Sequence, residues 1–533
     1  MQQWSIIESS FPCNHGAEKK MSCQGQNMKP TNCVCVISLV ILFATYFLSQ
    51  TAEAEFVLQT LCEFPATLAP NTNAPPQEPG GMVEASDGSF YGAAAGGSNY
   101  YVGPGFYLGN GTIFRVTKTG AMTRIFSFNG TIGNGPSGGV IGKGPSGGLI
   151  FGNDGCLYGV TASGGTKYQG AGGPSYNQGT IFKITTNGVL TSLFSLFNGT
   201  NGCIPVGRLA LGDDGNFYGT TQFGGNGFPG QSLPSGNGTI FKCSTNGDFN
   251  VLYYFNGTNG SVLYAGLTLG DDGNFYGATT YGGSNYSGQA LSGYGTLFQI
   301  NTNGNLTTLA YFNGTNGSQP MAGLTQGPDK NFYGTTQTGG AFNLGTVFQI
   351  TTNGILTTLL SFDGTNGGNP ASSLTFGSDG NLYGSTPWIG VNDNTHYGTL
   401  FRITTNGLLT TLVSLNGTNG LHAYTDMILG SDGNLYGSMV DKRAAQLPDG
   451  SLGSIFRLVQ PPTLSSISPT NGGMTITWDS FTNAVYRVEC KANLVSTNWT
   501  ALVTNVVTTS NSVIFTDSSL ISTQRFYRVR LLP

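Results

Sequence analysis

The sequence predicts an all-β fold, a seven-bladed β-propeller closed by its N-terminal strand and followed by a small β-sandwich. Three observations carry this. Short aromatic strands recur along most of the chain, turn glycines punctuate each recurrence, and one repeat is divided between the two ends of the array. Of 533 residues 84 are Gly, 11% are aromatic and only 9% are charged. Regular aromatic spacing at that glycine content fits many short strands joined by tight turns, and not a disordered chain.

The most insistent stretch is Gly270 to Thr280, Gly-Asp-Asp-Gly-Asn-Phe-Tyr-Gly-Ala-Thr-Thr. It reads as a tight turn feeding a strand in which Phe or Leu and Tyr alternate sides. Seven copies carry the Tyr-Gly pair, with tyrosines at Tyr91, Tyr158, Tyr218, Tyr276, Tyr333, Tyr383 and Tyr436. Each is followed by a Gly-Thr/Ser-Ile/Leu/Val-Phe strand, and six then reach a Thr-Asn-Gly-type turn and a Leu-Thr-Thr-Leu-type strand ending near Phe128, Phe197, Phe255, Phe312, Phe362 or Leu415. Asn-Gly-Thr-Asn-Gly and a Gly-Leu-rich strand lead back to the opening motif. One repeat therefore holds strands a (Ala265 to Leu269), b (Asn274 to Thr279), c (Thr296 to Asn301) and d (Leu306 to Phe312). Four antiparallel strands per repeat suit a propeller blade and are too many for one coil of a β-helix.

The ends sharpen this. The last repeat stops after strand c, Ser454 to Leu458, while Phe56 to Phe64 resembles a strand d with nothing before it. Pairing the two completes a seventh blade and removes an unpaired edge. The expected domains are a leader and signal peptide at 1–54, the propeller at 55–460 and a fibronectin type III-like sandwich at 461–533. In the last segment Thr475 to Trp478, Val485 to Glu489, Trp499 to Leu502 and Phe526 to Arg530 alternate as strands do, with a Trp on an early strand.

Val34 to Leu48 is an apolar run of 15 residues followed by Ala52-Glu53-Ala54. That is short for a membrane span and ends in a small-x-small pattern, so a secretory signal cut after Ala54 is expected, with Met28 as a plausible start. An uncleaved N-terminal anchor is the competing reading. No later stretch is apolar enough to span a bilayer, and the expected location is secreted or cell surface. The five cysteines beyond the leader (Cys62, Cys156, Cys203, Cys243, Cys490) are odd in number and lack metal spacing. A net charge of −4 with no basic tract argues against nucleic acid as a partner.

Chain order puts the a–b and c–d turns on one propeller face and the b–c and d–a loops on the other. Only the Tyr-Gly to Gly-Thr segment varies freely, spanning 20, 21, 20, 19, 12, 15 and 17 residues. These variable loops are rich in aromatics among Gly, Ser and Asn, which suits stacking on sugar rings. The candidate ligand-binding residues are Tyr107, Tyr176, Phe228, Tyr286, Trp388, His396, Tyr397 and His422. The plainer account is that the aromatics pack their own loops. His396 and His422, with Asp393 and Asp426 close by in sequence, make an acid–base or metal site conceivable; two exposed loop histidines are the blander account. The turn aspartates Asp154, Asp214, Asp272, Asp379 and Asp432 could bind calcium, yet Asp-Gly turns need no metal. The Asn-Gly-Thr triplets match a glycosylation sequon but are explained first by turn geometry. No motif calls for a cofactor, a metal or catalytic residues.

The units Asp-Gly-Asn-Phe-Tyr-Gly-Thr-Thr, Gly-Thr-Ile-Phe-Lys-Ile-Thr-Thr-Asn-Gly and Phe-Asn-Gly-Thr-Asn-Gly resemble the GloVer tandem repeat of bacterial secreted proteins, found in Verrucomicrobia and relatives. The resemblance covers about Phe56 to Val459. It implies a secreted repeat protein, typically with a C-terminal surface anchor, where this chain has the small sandwich instead. It brings no established catalytic residues. The expected function is a non-catalytic binding or structural module for a polysaccharide or cell-envelope glycan, and the alternative is a polysaccharide hydrolase or lyase with its site on the variable-loop face. Oligomeric state stays open.

Overall fold

The computed structural model describes residues 56–532 except 65–78, 95–110, 129–133, 137–147, 164–178, 197–198, 226–235, 290, 388–396, 418, 421, 425, 441–452, 460–463, 471–472, 481–484, 492–498, 508–511 and 520–524. The chain divides into two compact units, one of Leu58–Leu458 and one that holds Val459–Pro533. Among the described residues every regular element is a strand.

The larger unit holds seven sheets, six of four strands and one of five. The fourth shows the pattern, with Thr268–Leu269, Phe275–Thr279, Thr296–Ile300 and Leu306–Tyr311 side by side in chain order. Strand a is shorter than expected. Near Gly266 the neighbouring sheet comes so close that a Cβ would lie 2.1 Å from the Arg208 carbonyl oxygen, so the chain there lines a wall and pairs over only two residues.

The Tyr-Gly pair follows from packing. Gly277 of strand b faces Phe298 of strand c, and a Cβ on it would fall 2.6 Å from that ring's Cζ. The same seat recurs at Gly92 under Phe114 and Gly437 under Phe456. The tyrosine beside it points the other way, onto the next sheet. Tyr158 lies 4.0 Å from Phe217, Tyr218 lies 4.1 Å from Phe275 and Tyr276 lies 4.0 Å from Phe332, centroid to centroid. Burying each ring contributes about 2 kcal/mol, and such pairs add roughly 1 kcal/mol more. Tyr436 of the last sheet makes the same contact with Phe90 of the first, at 4.3 Å.

The N-terminal strand Val57–Glu63 sits beside Gly453–Val459. The Phe64 amide donates to Gly453 O at 2.8 Å, as Phe312 does to Gly295 O at 3.1 Å inside an uninterrupted repeat. In the second sheet Leu196 holds this position, its amide on Gly179 O at 2.9 Å, and Phe197 lies outside the described residues. The spacing to the next tyrosine had pointed to Phe197; one extra residue in the following loop shifts the register.

In the other unit Leu464–Thr470, Gly473–Asp479 and Ser512–Asp517 form one three-stranded sheet, and Thr500–Val507, Val485–Lys491 and Phe526–Leu532 form a second. Ile476 and Trp478 of the first share a core with Tyr486 and Val488 of the second. The five described cysteines are free, and burial pushes the Cys203 and Cys243 thiols up to about 12.

Candidate functional site

Of the sequence-predicted binding residues, Tyr107, Tyr176, Phe228, Trp388 and His396 lie outside the described residues, as does Asp393. Tyr286, Tyr397 and His422 are described. The Tyr286 ring covers Gly257, where a Cβ would fall 2.0 Å from Cζ, and its hydroxyl is 3.4 Å from Asn237 Oδ1. It thus packs on loops of the preceding sheet. His422 and Tyr397 meet through the backbone, the His422 amide donating to Tyr397 O at 3.1 Å.

That bond is a repeat feature. Val262, Gln319 and Asn369 stand at the same distance before their tyrosines, and their amides donate to Asn237 O, Tyr294 O and Leu344 O at 2.8, 2.9 and 2.7 Å. All hold left-handed backbone, with φ of 56°, 56°, 52° and, for His422, 43°. His422 therefore fills a framework position. It is only 4% exposed, which corrects the picture of two exposed loop histidines. Its Nδ1 lies 2.6 Å from Pro387 O, and since a carbonyl only accepts, Nδ1 carries the proton.

The turn aspartates are likewise committed to the framework. The hydroxyls of Tyr158, Tyr218, Tyr276, Tyr383 and Tyr436 donate to Oδ2 of Asp154, Asp214, Asp272, Asp379 and Asp432 at 2.6 to 2.9 Å. The other carboxylate oxygen takes the amide two residues on, as from Asn274 to Asp272 at 3.1 Å. Lys183 and Lys242 of strand c add ion pairs at 2.6 and 2.7 Å. Burial raises the Asp154 pKa, but Lys183, the Cys156 amide and Tyr158 together outweigh it and hold the carboxyl at about 2. Burial and the bond to Asp154 push Tyr158 up to about 12. Oxygens so occupied offer a calcium ion little, and the a–b turns serve as strand clamps.

A different site lies where the innermost strands converge. A cavity of about 190 Å³ is lined by residues from all seven sheets. One repeat position, ten residues before each tyrosine, contributes in every sheet. It is glycine at Gly81, Gly148, Gly266 and Gly323, serine at Ser373, and charged only at Arg208 and Asp426. The Arg208 Nε donates to Leu149 O at 2.9 Å. Asp426 Oδ1 accepts from the Ser373 amide at 2.6 Å. Burial pulls the Arg208 pKa down and the nearby Asp426 carboxylate pulls it back up. Two residues further on, the Thr268 hydroxyl donates to Leu324 O of the next sheet at 2.6 Å, and Thr325 and Thr375 do the same to Leu374 O and Met427 O. Asp426 is thus taken from the histidines' neighbourhood in the sequence reading to the wall of this cavity. Arg208 carried no motif; aligning all seven repeats on their tyrosines would have found it.

These features define a class: a tandem repeat of four-stranded antiparallel sheets whose inner strands share one cavity. The chain belongs to the Gloeobacter/Verrucomicrobia repeat family, which it matches over residues 56–291 and 287–498, the second match running past the last sheet into the other unit. No curated protein matches the chain at significant similarity. Among solved structures, the PQQ-bound aldose sugar dehydrogenase of Streptomyces coelicolor is 14% identical with a TM-score of 0.38, over 76% of this chain and 98% of that one. A protein of unknown function from Dyadobacter fermentans is 10% identical with a TM-score of 0.39, over 76% and 99%. A gluconolactonase from Xanthomonas campestris is 12% identical with a TM-score of 0.33, over 52% and 78%. Likeness at this level carries no argument about activity or substrate.

Proposed function

We propose that the chain is exported to the cell surface or beyond, where Leu58–Leu458 acts as a closed seven-bladed β-propeller that binds carbohydrate without turning it over. Closure is supported by the N-terminal strand Val57–Glu63, which completes the last sheet beside Gly453–Val459, and by two contacts that make the last and first sheets neighbours: the Tyr436 ring on Phe90, and Gly120 packed against Leu61 O as Gly304 packs against Leu252 O. Export rests on the apolar run Val34 to Leu48 and cleavage after Ala54, both outside the described residues. The two three-stranded sheets beyond Val459 fit a fibronectin type III-like sandwich.

The observation that carries the binding reading is the division of work within each repeat. The a–b turns spend their carboxylates on holding strands together, while the opposite segments range from 12 to 21 residues and gather Tyr, Trp, Asn and Ser. Variation on a rigid frame is how loops diversify a binding surface. The test is a glycan array on the mature chain run beside a reducing-sugar release assay. Binding with no product supports the module; product that vanishes in His396→Ala supports a hydrolase or lyase. An array without any bound glycan sinks the carbohydrate class.

A further inference from the structure

We propose that the axial layer of Leu58–Leu458 is a binding site for one acidic sugar, a uronate whose carboxylate pairs with Arg208 and whose hydroxyls donate to Asp426. Five of the seven residues in this layer are Gly or Ser. At Gly266 the backbone demands it, but at Gly148 and Gly323 it does not. A Cβ on Gly148 would meet nothing closer than 3.5 Å, and one on Gly323 would meet only Ser373 Oγ, at 3.1 Å; neither has a positive φ. Small residues there keep space open, where the next residue along each inner strand is a buried Leu or Met filling the core. The volume of about 190 Å³ equals that of roughly six waters in the liquid, room for one small ligand of the size of a single sugar ring.

Into that space come two opposite charges. Arg208 is on the third sheet and Asp426 on the seventh, so closure of the ring sets them across the axis from each other. A guanidinium has five N–H donors. Among the described residues Leu149 O is the acceptor that takes one of them, through Nε, and the outer fork of the group is left for a ligand. That fork matches a carboxylate with two parallel bonds, and a half-buried cation gains most from such a partner. Asp426 is held in place by the Ser373 amide. A plain carboxylate would meet repulsion from it, and a neutral sugar would gain nothing from the charge of the guanidinium fork, which Asp426 alone would then offset. A ligand with an anion at one end and donors at the other satisfies both. Choosing hydroxyls over an ammonium as those donors rests on the carbohydrate reading above.

The experiment is titration calorimetry on the full mature chain with glucuronate, glucose, acetate and alanine. Glucuronate should bind at least about tenfold more tightly than the other three, and Arg208→Met should weaken it by at least about tenfold. Gly148→Leu, which fills the cavity and leaves both charges intact, should abolish it. Both variants must unfold at the wild-type urea midpoint; if Arg208→Met does not, Gly148→Leu decides alone. Equal binding of glucose and glucuronate, no binding at all, or an unchanged affinity in Gly148→Leu overturns the proposal. Alanine binding as tightly as glucuronate overturns it in favour of an amino-acid site. The loop-face reading fails separately: glycan capture on the array that survives Gly148→Leu supports the loops whatever happens at the axis.

Discussion

Replacing Phe64 by Ala tests whether the N-terminal strand is a full member of the last sheet. Phe64 is 0% exposed, packs among Met82, Phe90 and Phe114, and meets the Phe114 ring edge-on at 5.5 Å. Phe312 is its counterpart within an uninterrupted repeat, also 0% exposed and edge-on to Phe348 at 5.3 Å. Truncating a fully buried phenylalanine costs about 3–5 kcal/mol, the sum of lost transfer energy and the cavity left behind. Matching surroundings should give matching costs. A strand resting loosely on the surface would instead place Phe64→Ala within about 0.5 kcal/mol of wild type. Urea unfolding followed by circular dichroism compares both variants with the parent chain, and the ratio of the two shifts does not depend on the absolute scale. A Phe64→Ala midpoint at the wild-type value, beside a clearly lowered Phe312→Ala midpoint, refutes the closing role of Val57–Glu63.

Two glycines of the opening motif separate backbone strain from crowding. Gly273 has φ +76° and nothing within 4 Å of a Cβ, so Gly273→Ala should cost about 1 kcal/mol from conformation alone. Gly277→Ala drives a Cβ to 2.6 Å from the Phe298 ring and should cost up to about 3 kcal/mol; the order of their urea midpoints checks this. Tyr276→Phe keeps the ring but loses hydroxyl bonds to Asp272 and Gln299, each at 2.8 Å, for about 1–2 kcal/mol by the same measurement. Acid should unfold the protein through its turn carboxylates. Asp87, in the first sheet's a–b turn and bonded to Ser89 and Arg115, and Asp154 are held at about 2 against an ordinary 3.8, so their contribution is complete above that ordinary value and is lost as pH falls from about 4 through 2. Thermal melts should be flat from about pH 5 to 7 and drop steeply below 4, and Lys183→Met should soften the drop; a midpoint unmoved at about pH 2.5 contradicts this.

Much of the frame was legible because its physics is local and repeated. Thr296 to Asn301 reads as a strand from its apolar, β-branched and aromatic run, and pairs as Thr296–Ile300; Leu306 to Phe312 pairs as Leu306–Tyr311. Strand a was read too long because its pairing depends on how closely sheets converge, which no window of sequence contains. His422 was misjudged for a related reason. Its burial and left-handed backbone come from a position shared with Val262, Gln319 and Asn369, residues so unlike one another that no motif links them. The variable-loop aromatics were easy to see and hard to place, since segments of unequal length keep no common register.

The axial pair shows what the repeat itself can reveal once its register is fixed. A tandem array needs the same residue types at framework positions, and it supplies them at Tyr276 and Gly277 and at their six counterparts each. Where one position is glycine or serine five times and a charge twice, the repeat does not require the charges, although each also bonds to the neighbouring sheet, through Leu149 O and the Ser373 amide. Burial weighs against the Arg208 charge, a cost that its glycine and serine counterparts do not carry. The two charges are opposite in sign, they come from different sheets, and both line one space that two backbone-indifferent glycines keep open. Departure from the repeat at a position whose geometry the repeat still dictates is therefore the stronger pointer to function here. Loop variation marks a surface that can diversify; Arg208 and Asp426 mark one position where a change of residue type has to be explained.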